Sequence, residues 1–543
     1  MADALPSDVS KVDPADAWKL WRPSAAIPWG PKWVAHLYRR AAFGPSPADT
    51  ERALTEGFPR TLDRLLAGEP GAADQLELLT ETGQYYSDAS QLRAWWLYSM
   101  IESGHPLREK LTLFWHNHFA TSYAKVRSSR LMFEQNLILR KHALGAFRPF
   151  LLDMSRDTAM LVWLDSNRNV NGAPNENFAR EVMELFSLGV GNYSEKDIQE
   201  AARAFTGWHH DPEVVRYEYN PDLHDSGPKT VFGQTGNWGG DDIVRLCCDR
   251  PSCAKFLVGK LYAFLVSETP PPKGLLAPLE ERFRGSNYDI AELVRTMLGS
   301  AIFFSAHAYR KRIKWPAEYI LGTVRAVVPD RVPLSDLVDP LAKMGQVLFA
   351  PPNVKGWRTG TDWLNSATLL ARNNFAETVA SGRWSSNSDR NSGGTTPTAP
   401  PPKQAVIQES PEQQAVMGAI AGGAVAHSPV RERVAPDGTR LIFPVEVIPP
   451  KVISDASPPP DAKFDPLEVV FRTKPTTLSA LIQRMGVLLY GEEVSPAART
   501  KIEKFLIAGK KPPSAKDFDS VAFRQKAREA LQALMCLAEY QLS

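Results

Sequence analysis

The sequence predicts a mainly α protein: a multi-helix bundle with one small β-hairpin and a Pro-rich disordered insertion. Three observations lead to this fold class. Apolar residues recur at helical spacing through most of the chain, alternation with a period of two is convincing at one place, and one region is rich in Ser, Thr, Gly and Pro. An apolar content of 43% and a charged content of 23% are ordinary for a globular protein.

Composition and periodicity divide the 543 residues into four segments. Residues 1–30 form a Trp- and Pro-rich N-terminal extension that is predicted to lie over the surface, and residues 31–380 form the main helical domain. Residues 381–465 are the Pro/Ser/Gly-rich insertion or linker. Apolar periodicity returns in residues 466–543, so these C-terminal helices are predicted to pack on the main domain.

Two histidines near the end of one predicted helix illustrate the choice between core and site. The helix runs from Pro106 to about Thr121, and His118 falls within its apolar stripe while His116 falls away from it. The pair therefore cannot chelate one metal ion from a regular helix. His118 is interpreted first as a core histidine bonded to backbone, and alternatively as a metal ligand.

The stretch from Asn175 to Trp208 is predicted to form two short helices joined by a Gly-rich turn. Asn175 is a suitable N-cap for the first helix, and Ser194 with Asp197 forms a capping box for the second. The predicted buried residues are Phe178, Val182, Leu185 and Phe186 in the first helix and Ile198, Ala201, Ala202 and Phe205 in the second.

A row of charged residues lies on the opposite side of the first helix. Glu176, Arg180 and Glu184 follow at i, i+4 and i+8, and Glu181 flanks the row. One interpretation is a solvated ladder of ion pairs, each worth a few tenths of a kcal/mol. The other is a carboxylate cluster in which Arg180 holds one acid and another is free for proton transfer or a metal. Glu176, Arg180 and Glu184 are the candidate catalytic residues.

The convincing β signal follows this stretch. Val215, Tyr217 and Tyr219 alternate with polar residues, and residues 229–233 (KTVFG) are predicted to be the second strand of a hairpin. The connection places His224 beside Asp225. A divalent metal held by His118, Glu181, His224 and Asp225 is therefore one hypothesis. The alternative is that the loop residues only build turns.

Two further features are the loop around Lys355, which has two interpretations, and the four cysteines, which are interpreted as packing residues. Lys355 and Trp357 follow a double Pro in the loop APPNVKGW, which would line a pocket or clamp helices together. The cysteines lack zinc spacing and are predicted to be core or semi-buried thiols. They are Cys247, Cys248, Cys253 and Cys536.

Location and partner classes follow from what the sequence lacks. The N-terminus has no positive region followed by an apolar run, and no stretch of about 18 apolar residues occurs. We therefore expect a cytoplasmic protein without a membrane span, although a signal lost from the sequence would look the same, so export stays open. Lys plus Arg (63) balances Asp plus Glu (61), which argues against nucleic acid as a partner.

Several segments in order resemble the bacterial domain of unknown function 1800 family. They include AHLYRRAAFGPSPAD, LREKLTLFWHNHFATS, NENFAREVMELFSLGVGNYSEKDIQEAARAFTGW, FGQTGNWGGDDIVRLCCDRPSCAKFLVGKLYAFLV, LFAPPNVKGW and the HDSGPK loop. The resemblance spans roughly Trp33 to Ala380. The Pro-rich insertion departs from the family's compact pattern, as does Val182, where Leu is more usual.

This resemblance implies a mostly helical bacterial protein and no particular reaction. Its members are frequently encoded beside a protein that looks like alkaline phosphatases and sulfatases, which is thus the implied partner. Many members are exported. Two functions compete: a helical scaffold or partner-binding protein, and a metal-assisted hydrolase with a His/Glu/Asp site.

Overall fold

The computed structural model describes residues 5–6, 8–83, 88–211, 216–328, 334–382, 430–434, 440–444, 464–507, 513 and 515–543. The chain divides into two compact units, one of Met1–Trp384 with Ser457–Ser543 and one of Ser385–Ala456. The predicted insertion, residues 381–465, lies mostly outside the described residues. In the second unit, β5 (Val430–Val434) pairs antiparallel with β6 (Arg440–Pro444).

The larger unit is mainly α-helical, as predicted. Its helices before the central stretch are α1 Pro14–Ala17, α2 Pro31–Ala41, α3 Pro47–Glu56, α4 Phe58–Ala67, α5 Ala72–Gly83, α6 Ala89–Glu102, α7 Pro106–His118, α8 Tyr123–Val126, α9 Ser129–His142, α10 Phe147–Ser155 and α11 Thr158–Trp163. The central stretch holds α12 Glu176–Glu181, a π-helical segment Val182–Leu188 and α13 Glu195–Ala204.

The remaining helices of this unit follow the small strands. They are α14 Gly240–Asp249, α15 Pro251–Leu265, α16 Ala277–Gly285, α17 Ile290–Gly299, α18 Pro316–Val327, α19 Ser335–Lys343, α20 Ser366–Ser381, α21 Pro466–Phe471, α22 Leu478–Tyr490, α23 Pro496–Ile507 and α24 Val521–Cys536. Short 3₁₀ turns occupy Val9–Lys11, Ser166–Arg168, Pro221–Leu223, Gly360–Trp363, Ala515–Asp519 and Ala538–Gln541.

The β structure of this unit differs from the predicted hairpin. β1 (Trp208–Asp211) pairs antiparallel with β2 (Arg216–Tyr219), and β3 (Lys229–Val231) pairs antiparallel with β4 (Gln234–Gly236). The two segments that we expected to pair therefore each pair with a sequence neighbour instead. Adjacent strands close a shorter loop, which costs less chain entropy. Val215 lies outside the described residues.

Helix starts follow the local signals in the sequence. Ser46 and Asp49 form the predicted capping box of α3, and Ser194 and Asp197 form that of α13. Asn175 caps α12 by accepting a hydrogen bond from the backbone N–H of Asn177 at 3.0 Å. These predictions are confirmed, because caps depend on residues only two or three positions apart.

Helices α7 and α18 lie inside the larger unit and are buried on nearly every side. Burial includes charged residues: Glu318 of α18 accepts hydrogen bonds from Lys110 of α7 and from Arg312. A second buried pair joins Glu109 to Arg140 through two hydrogen bonds of 2.7 and 2.8 Å. Buried carboxylates are tolerated when several donors compensate for their lost hydration.

Both ends of the chain pack against α-helices of the larger unit. Trp21 is buried and stacks on Phe304 with a centroid distance of 4.0 Å, so this part of the N-terminal extension enters the core rather than lying over the surface. At the other end, the Tyr319 hydroxyl donates to the Met535 carbonyl oxygen of α24 at 3.3 Å. Arg39 of α2 donates to the Leu489 carbonyl oxygen of α22 at 2.9 Å.

The structure bears on two predictions, one about the cysteines and one about membrane spans. Cys247, Cys248 and Cys253 are buried and Cys536 is partly buried, all as free thiols, which confirms the interpretation as core or semi-buried residues. Within the described part of the chain, no helix is long and apolar enough to cross a membrane.

Candidate functional site

The first helix of the central stretch changes its winding at Val182. From there to Leu188 the backbone is π-helical, and the Ser187 hydroxyl donates to the Val182 carbonyl oxygen at 2.5 Å. A π turn contains one more residue than an α turn, so side chains beyond it rotate relative to the predicted faces. Met183 is fully buried and Leu185 only partly, which corrects our prediction for Leu185. Phe178, Val182 and Phe186 are buried as predicted.

Gly189 ends this segment at a position where the backbone conformation and the close packing both disfavour a side chain. Its φ is +79°, a left-handed conformation that favours glycine. A Cβ placed there would lie 2.9 Å from the Phe256 ring of α15. The turn after the π segment is therefore held against α15 by close packing.

The predicted charged row is divided between two sets of partners. Arg180 donates to Glu176 at 3.2 Å and to Glu195 of α13 at 2.7 Å, and all three side chains are partly or largely exposed. Glu184 instead accepts a hydrogen bond from the Tyr193 hydroxyl. Exposed ion pairs of this kind contribute about 0.2–1 kcal/mol. The catalytic assignment of Glu176, Arg180 and Glu184 stays a prediction.

Glu176, Glu181 and Glu184 form an acidic cluster, in which Glu181 differs from the other two acids. The residue is only 9% exposed, and no described residue donates a hydrogen bond to its carboxylate. Burial and the nearby Glu184 charge raise the pKa of Glu181 to about 7, against the opposing charges of Arg180 and Lys355. Glu181 therefore exchanges its proton near neutral pH, which suits acid–base chemistry or a charge switch.

The loop that carries Lys355 is fastened to the end of α7. Asn117 accepts a hydrogen bond from the backbone N–H of Trp357 at 2.6 Å, and Trp357 is buried. Gly356 has a φ of +88°, and any Cβ there would clash with Asn117. Of the two interpretations of this loop, these contacts favour the clamp, while Lys355 itself is exposed and acts on Glu181 through its charge.

Both histidines of α7 are buried, which corrects the placement of His116 away from the apolar stripe. His116 has neither ring nitrogen bonded to a described residue and packs against Trp96, Phe349 and Trp357. Burial lowers the pKa of His116 to about 3. Helix α7 is buried on nearly every side, so His116 is enclosed although it lies away from the predicted apolar stripe.

His118 follows the core interpretation. Its Nε2 atom donates to the Phe186 carbonyl oxygen at 3.0 Å, and burial holds its pKa well below the ordinary value. Phe186 lies in the last turn of the segment, where carbonyl oxygens lack a partner within the helix, so its oxygen is free to accept from His118. One nitrogen of His118 is thus engaged in joining α7 to the π segment.

The loop containing His224 and Asp225 packs on the second helix rather than on the first. Asp225 accepts hydrogen bonds from Arg203 at 2.7 and 3.2 Å and from the Gly227 backbone N–H at 2.9 Å. The Arg203 hydrogen bond lowers the pKa of Asp225. The Nδ1 atom of His224 donates to the Thr206 carbonyl oxygen at 2.9 Å.

The proposed metal ligands are therefore engaged in separate contacts. His118 bonds to Phe186, Asp225 to Arg203 and His224 to Thr206, while Glu181 has no described donor. Over the described residues, no group of three or more His, Cys, Asp or Glu side chains could hold a metal ion.

An open hollow lies on the other side of the turn that follows the π segment. Its volume is about 510 Å³. The lining residues are Gly191, Asn192, Tyr193, Ser194, Lys196, Asp197, Thr230, Phe232, Gly233 and Arg250. Tyr193 connects the hollow to the acidic cluster, because its hydroxyl bonds to Glu184. No local sequence pattern indicates this surface, because its residues come from separate segments of the chain.

Comparison with known proteins gives one match. The family described as protein of unknown function, DUF1800, matches residues 36–542. No curated protein matches the chain, and no solved structure does.

Proposed function

Because this chain belongs to the DUF1800 family, whose function is unknown, we propose a function from its own geometry: it is a helical scaffold that binds a partner protein. The binding surface is the hollow beside Tyr193. The observation that carries the proposal is a pair of cationic side chains, Lys196 and Arg250, that line this hollow without an ion-pair partner among the described residues.

The hollow's own carboxylate is already committed. Asp197 accepts hydrogen bonds from the Ser194 backbone N–H at 2.8 Å, from the Ser194 hydroxyl at 2.7 Å and from the Phe232 backbone N–H at 2.7 Å. Arg250 lies over the Phe232 ring at 5.0 Å, which orients its guanidinium beside the hollow. Asp197 remains charged and interacts electrostatically with Arg250. Two cations against one carboxylate nevertheless give the lining a net positive charge, which complements an acidic segment of a partner.

An apolar contact is available beside these charges. Val190 is 76% exposed and directly precedes Gly191, which lines the hollow. Tyr193 lines the same hollow. An exposed apolar side chain beside the charged groups offers a bound partner an apolar contact. We propose an acidic segment with a neighbouring apolar side chain as the occupant, and the phosphatase- and sulfatase-like protein encoded nearby as the partner that carries it.

The test is direct binding of the purified phosphatase-like protein to the full chain, measured by titration calorimetry at two salt concentrations. We expect the double variant Lys196→Glu, Arg250→Glu to weaken binding by about tenfold or more, because each reversed charge repels the acidic segment. The matched control is Lys273→Glu, Lys311→Glu, which makes the same change in net charge at two exposed sites elsewhere.

The possible outcomes test the choice of partner and the choice of binding surface independently. No binding by the wild-type chain would overturn the choice of partner. Equal weakening by both double variants would show an effect of net charge alone and would overturn the choice of surface. Weakening by the first pair only, reduced at high salt, is the result that the proposal requires.

A further inference from the structure

A tight turn at the surface lies between the 3₁₀ turn Ser166–Arg168 and α12. The Ala173 backbone N–H donates to the Val170 carbonyl oxygen at 3.0 Å, and Gly172 has a φ of +83°, the conformation that the third residue of such a turn requires. Asn171 occupies the second position, and both Asn171 and Gly172 are exposed. The partner-binding hollow proposed above includes none of these residues.

The chemistry of this turn comes from the pairing of an asparagine with a following glycine. The backbone nitrogen of the next residue can close a five-membered ring on the side-chain Cγ of an asparagine, which makes asparagine a thermolabile residue. Glycine hinders this attack least, because it has no Cβ and adopts many backbone conformations. Asn171 and Gly172 are the one Asn–Gly pair in the sequence.

The fold leaves both reacting groups of this pair free. The Asn171 side chain forms no hydrogen bond with a described residue, and no described residue accepts a hydrogen bond from the Gly172 backbone N–H. A Cβ placed on Gly172 would meet nothing within 4 Å, so the space beside this peptide is open. Short exposed turns also open at a low cost in free energy, which lets the nitrogen approach Cγ.

We propose that Asn171 is a site of spontaneous covalent modification, where asparagine becomes aspartate or isoaspartate in the folded protein. The Gly172 backbone nitrogen forms a bond to Cγ of Asn171, and its N–H proton passes to solvent base. The bond from Cγ to Nδ2 breaks, and Nδ2 takes a proton from water and leaves as ammonia. Water then opens the succinimide ring at either of its two carbonyl carbons. No redox change occurs, and water is the only co-reactant.

Two other asparagines show what distinguishes Asn171. Asn237 is equally exposed and has no side-chain hydrogen bond to a described residue, but the bulky Trp238 follows it. Asn365 precedes a small residue, but its Oδ1 atom accepts a hydrogen bond from the Thr368 backbone N–H at 3.0 Å and caps α20. Asn171 combines a following glycine, an exposed position and an unengaged side chain, so we expect the modification there.

The products change a contact between two loops. Either product places a carboxylate at position 171, and isoaspartate also adds a methylene group to the main chain inside the turn. The Asn171 backbone N–H donates to the Leu223 carbonyl oxygen at 2.8 Å. The modification therefore acts where this turn meets the loop that carries His224 and Asp225.

The test incubates the folded full-length protein at mildly alkaline pH and maps its peptides by mass spectrometry. We expect the peptide containing Asn171 to gain one dalton and to become a substrate for an isoaspartyl methyltransferase, whereas the peptide containing Asn237 stays unchanged. The gain should be slower at mildly acidic pH, because base must remove the Gly172 N–H proton. The variant Asn171→Gln should lose the signal, since glutamine would have to close a larger ring.

A parallel incubation of the wild-type protein in urea separates the effect of the fold from that of the Asn–Gly pair alone. The proposal requires modification of Asn171 in the folded protein as well as in the unfolded chain. Modification in urea with an intact Asn171 in the folded protein would show that the turn protects this residue, and would overturn the proposal. Equal modification of Asn171 and Asn237, or labelling that persists in Asn171→Gln, would also contradict it.

Discussion

At the scale of the residue, Glu181 is the member of the acidic cluster whose behaviour burial changes most. Glu176 and Glu184 each accept a hydrogen bond from a neighbour, whereas Glu181 receives none from a described residue. A carboxylate that loses water without gaining a donor favours its protonated form. The folded-state pKa of Glu181 is accordingly about 7, above the value of 4.5 expected for an exposed side chain.

This shift predicts a window of pH-dependent stability. Between pH 4.5 and 7 the folded chain holds a proton on Glu181 that the unfolded chain releases, so the free energy of unfolding falls as pH rises. The substitution Glu181→Gln removes this fall in the free energy of unfolding, because glutamine does not titrate. We expect the variant to be about 3 kcal/mol more stable than wild type at pH 8 and about equally stable at pH 4, measured by urea denaturation.

The control for this prediction is Glu281→Gln, which changes an exposed glutamate of α16 without an ion pair among the described residues. It should leave the free energy of unfolding unchanged at both pH values. A Glu181→Gln variant that loses stability equally at pH 4 and pH 8 would show that packing at this position matters more than charge.

At the scale of the element, the loop from residue 350 to 357 depends on its contact with the end of α7. The Asn117 side chain accepts a hydrogen bond from the backbone N–H of Trp357. The close approach of Asn117 leaves no room for a Cβ at Gly356. Trp357 then packs against His116 with a centroid distance of 5.3 Å. The loop thus covers the histidine end of α7 and holds Lys355 near the acidic cluster.

Substitution of Gly356 measures this contact. We expect Gly356→Ala to lower the free energy of unfolding by about 3 kcal/mol, from left-handed strain together with the clash against Asn117. The matched control is Gly57→Ala, because Gly57 has a φ of +81° but no atom within 4 Å of the position that an alanine Cβ would take. Only the strain applies there, at about 1 kcal/mol. Equal losses in the two variants would mean that the clash is relieved without cost.

At the scale of the whole molecule, buried charges connect helices that are distant in sequence. Glu318 joins α18 to α7 through Lys110 and to the preceding segment through Arg312. Burial alone would raise the pKa of Glu318, yet the charges of Arg312 and Lys110 lower it to about 2. The carboxylate therefore stays ionised inside the core, and the three side chains act as one unit.

Removing the central acid should affect the entire fold. We expect Glu318→Ala to cost about 3–5 kcal/mol, because Lys110 and Arg312 would remain buried without compensation. Glu134→Ala, which breaks an exposed pair with Arg130, should cost less than about 1 kcal/mol. Chemical denaturation of both variants checks the difference. A Glu318→Ala variant no less stable than Glu134→Ala would exclude this role for the buried cluster.

The helical class of this protein and the starts of several of its helices could be predicted from the amino-acid order alone. Asn175, Ser46 and Ser194 could be identified as caps because capping involves residues two or three positions apart. The buried side of α13 was predictable for a similar reason, since helical spacing relates residues within one or two turns. Capping and helical periodicity depend only on short stretches of sequence.

The strand pairing, the burial of His116 and the surroundings of each charged residue depend instead on contacts between distant parts of the chain. The face of a helix that meets solvent depends on how many neighbours surround it, and α7 is buried on nearly every side. Lys314 has its nearest aromatic ring at Tyr540, more than two hundred residues along the chain. The contacts that distinguish a solvated lysine from a buried one that lies over an aromatic ring are made by residues far apart in sequence, and no local pattern encodes them.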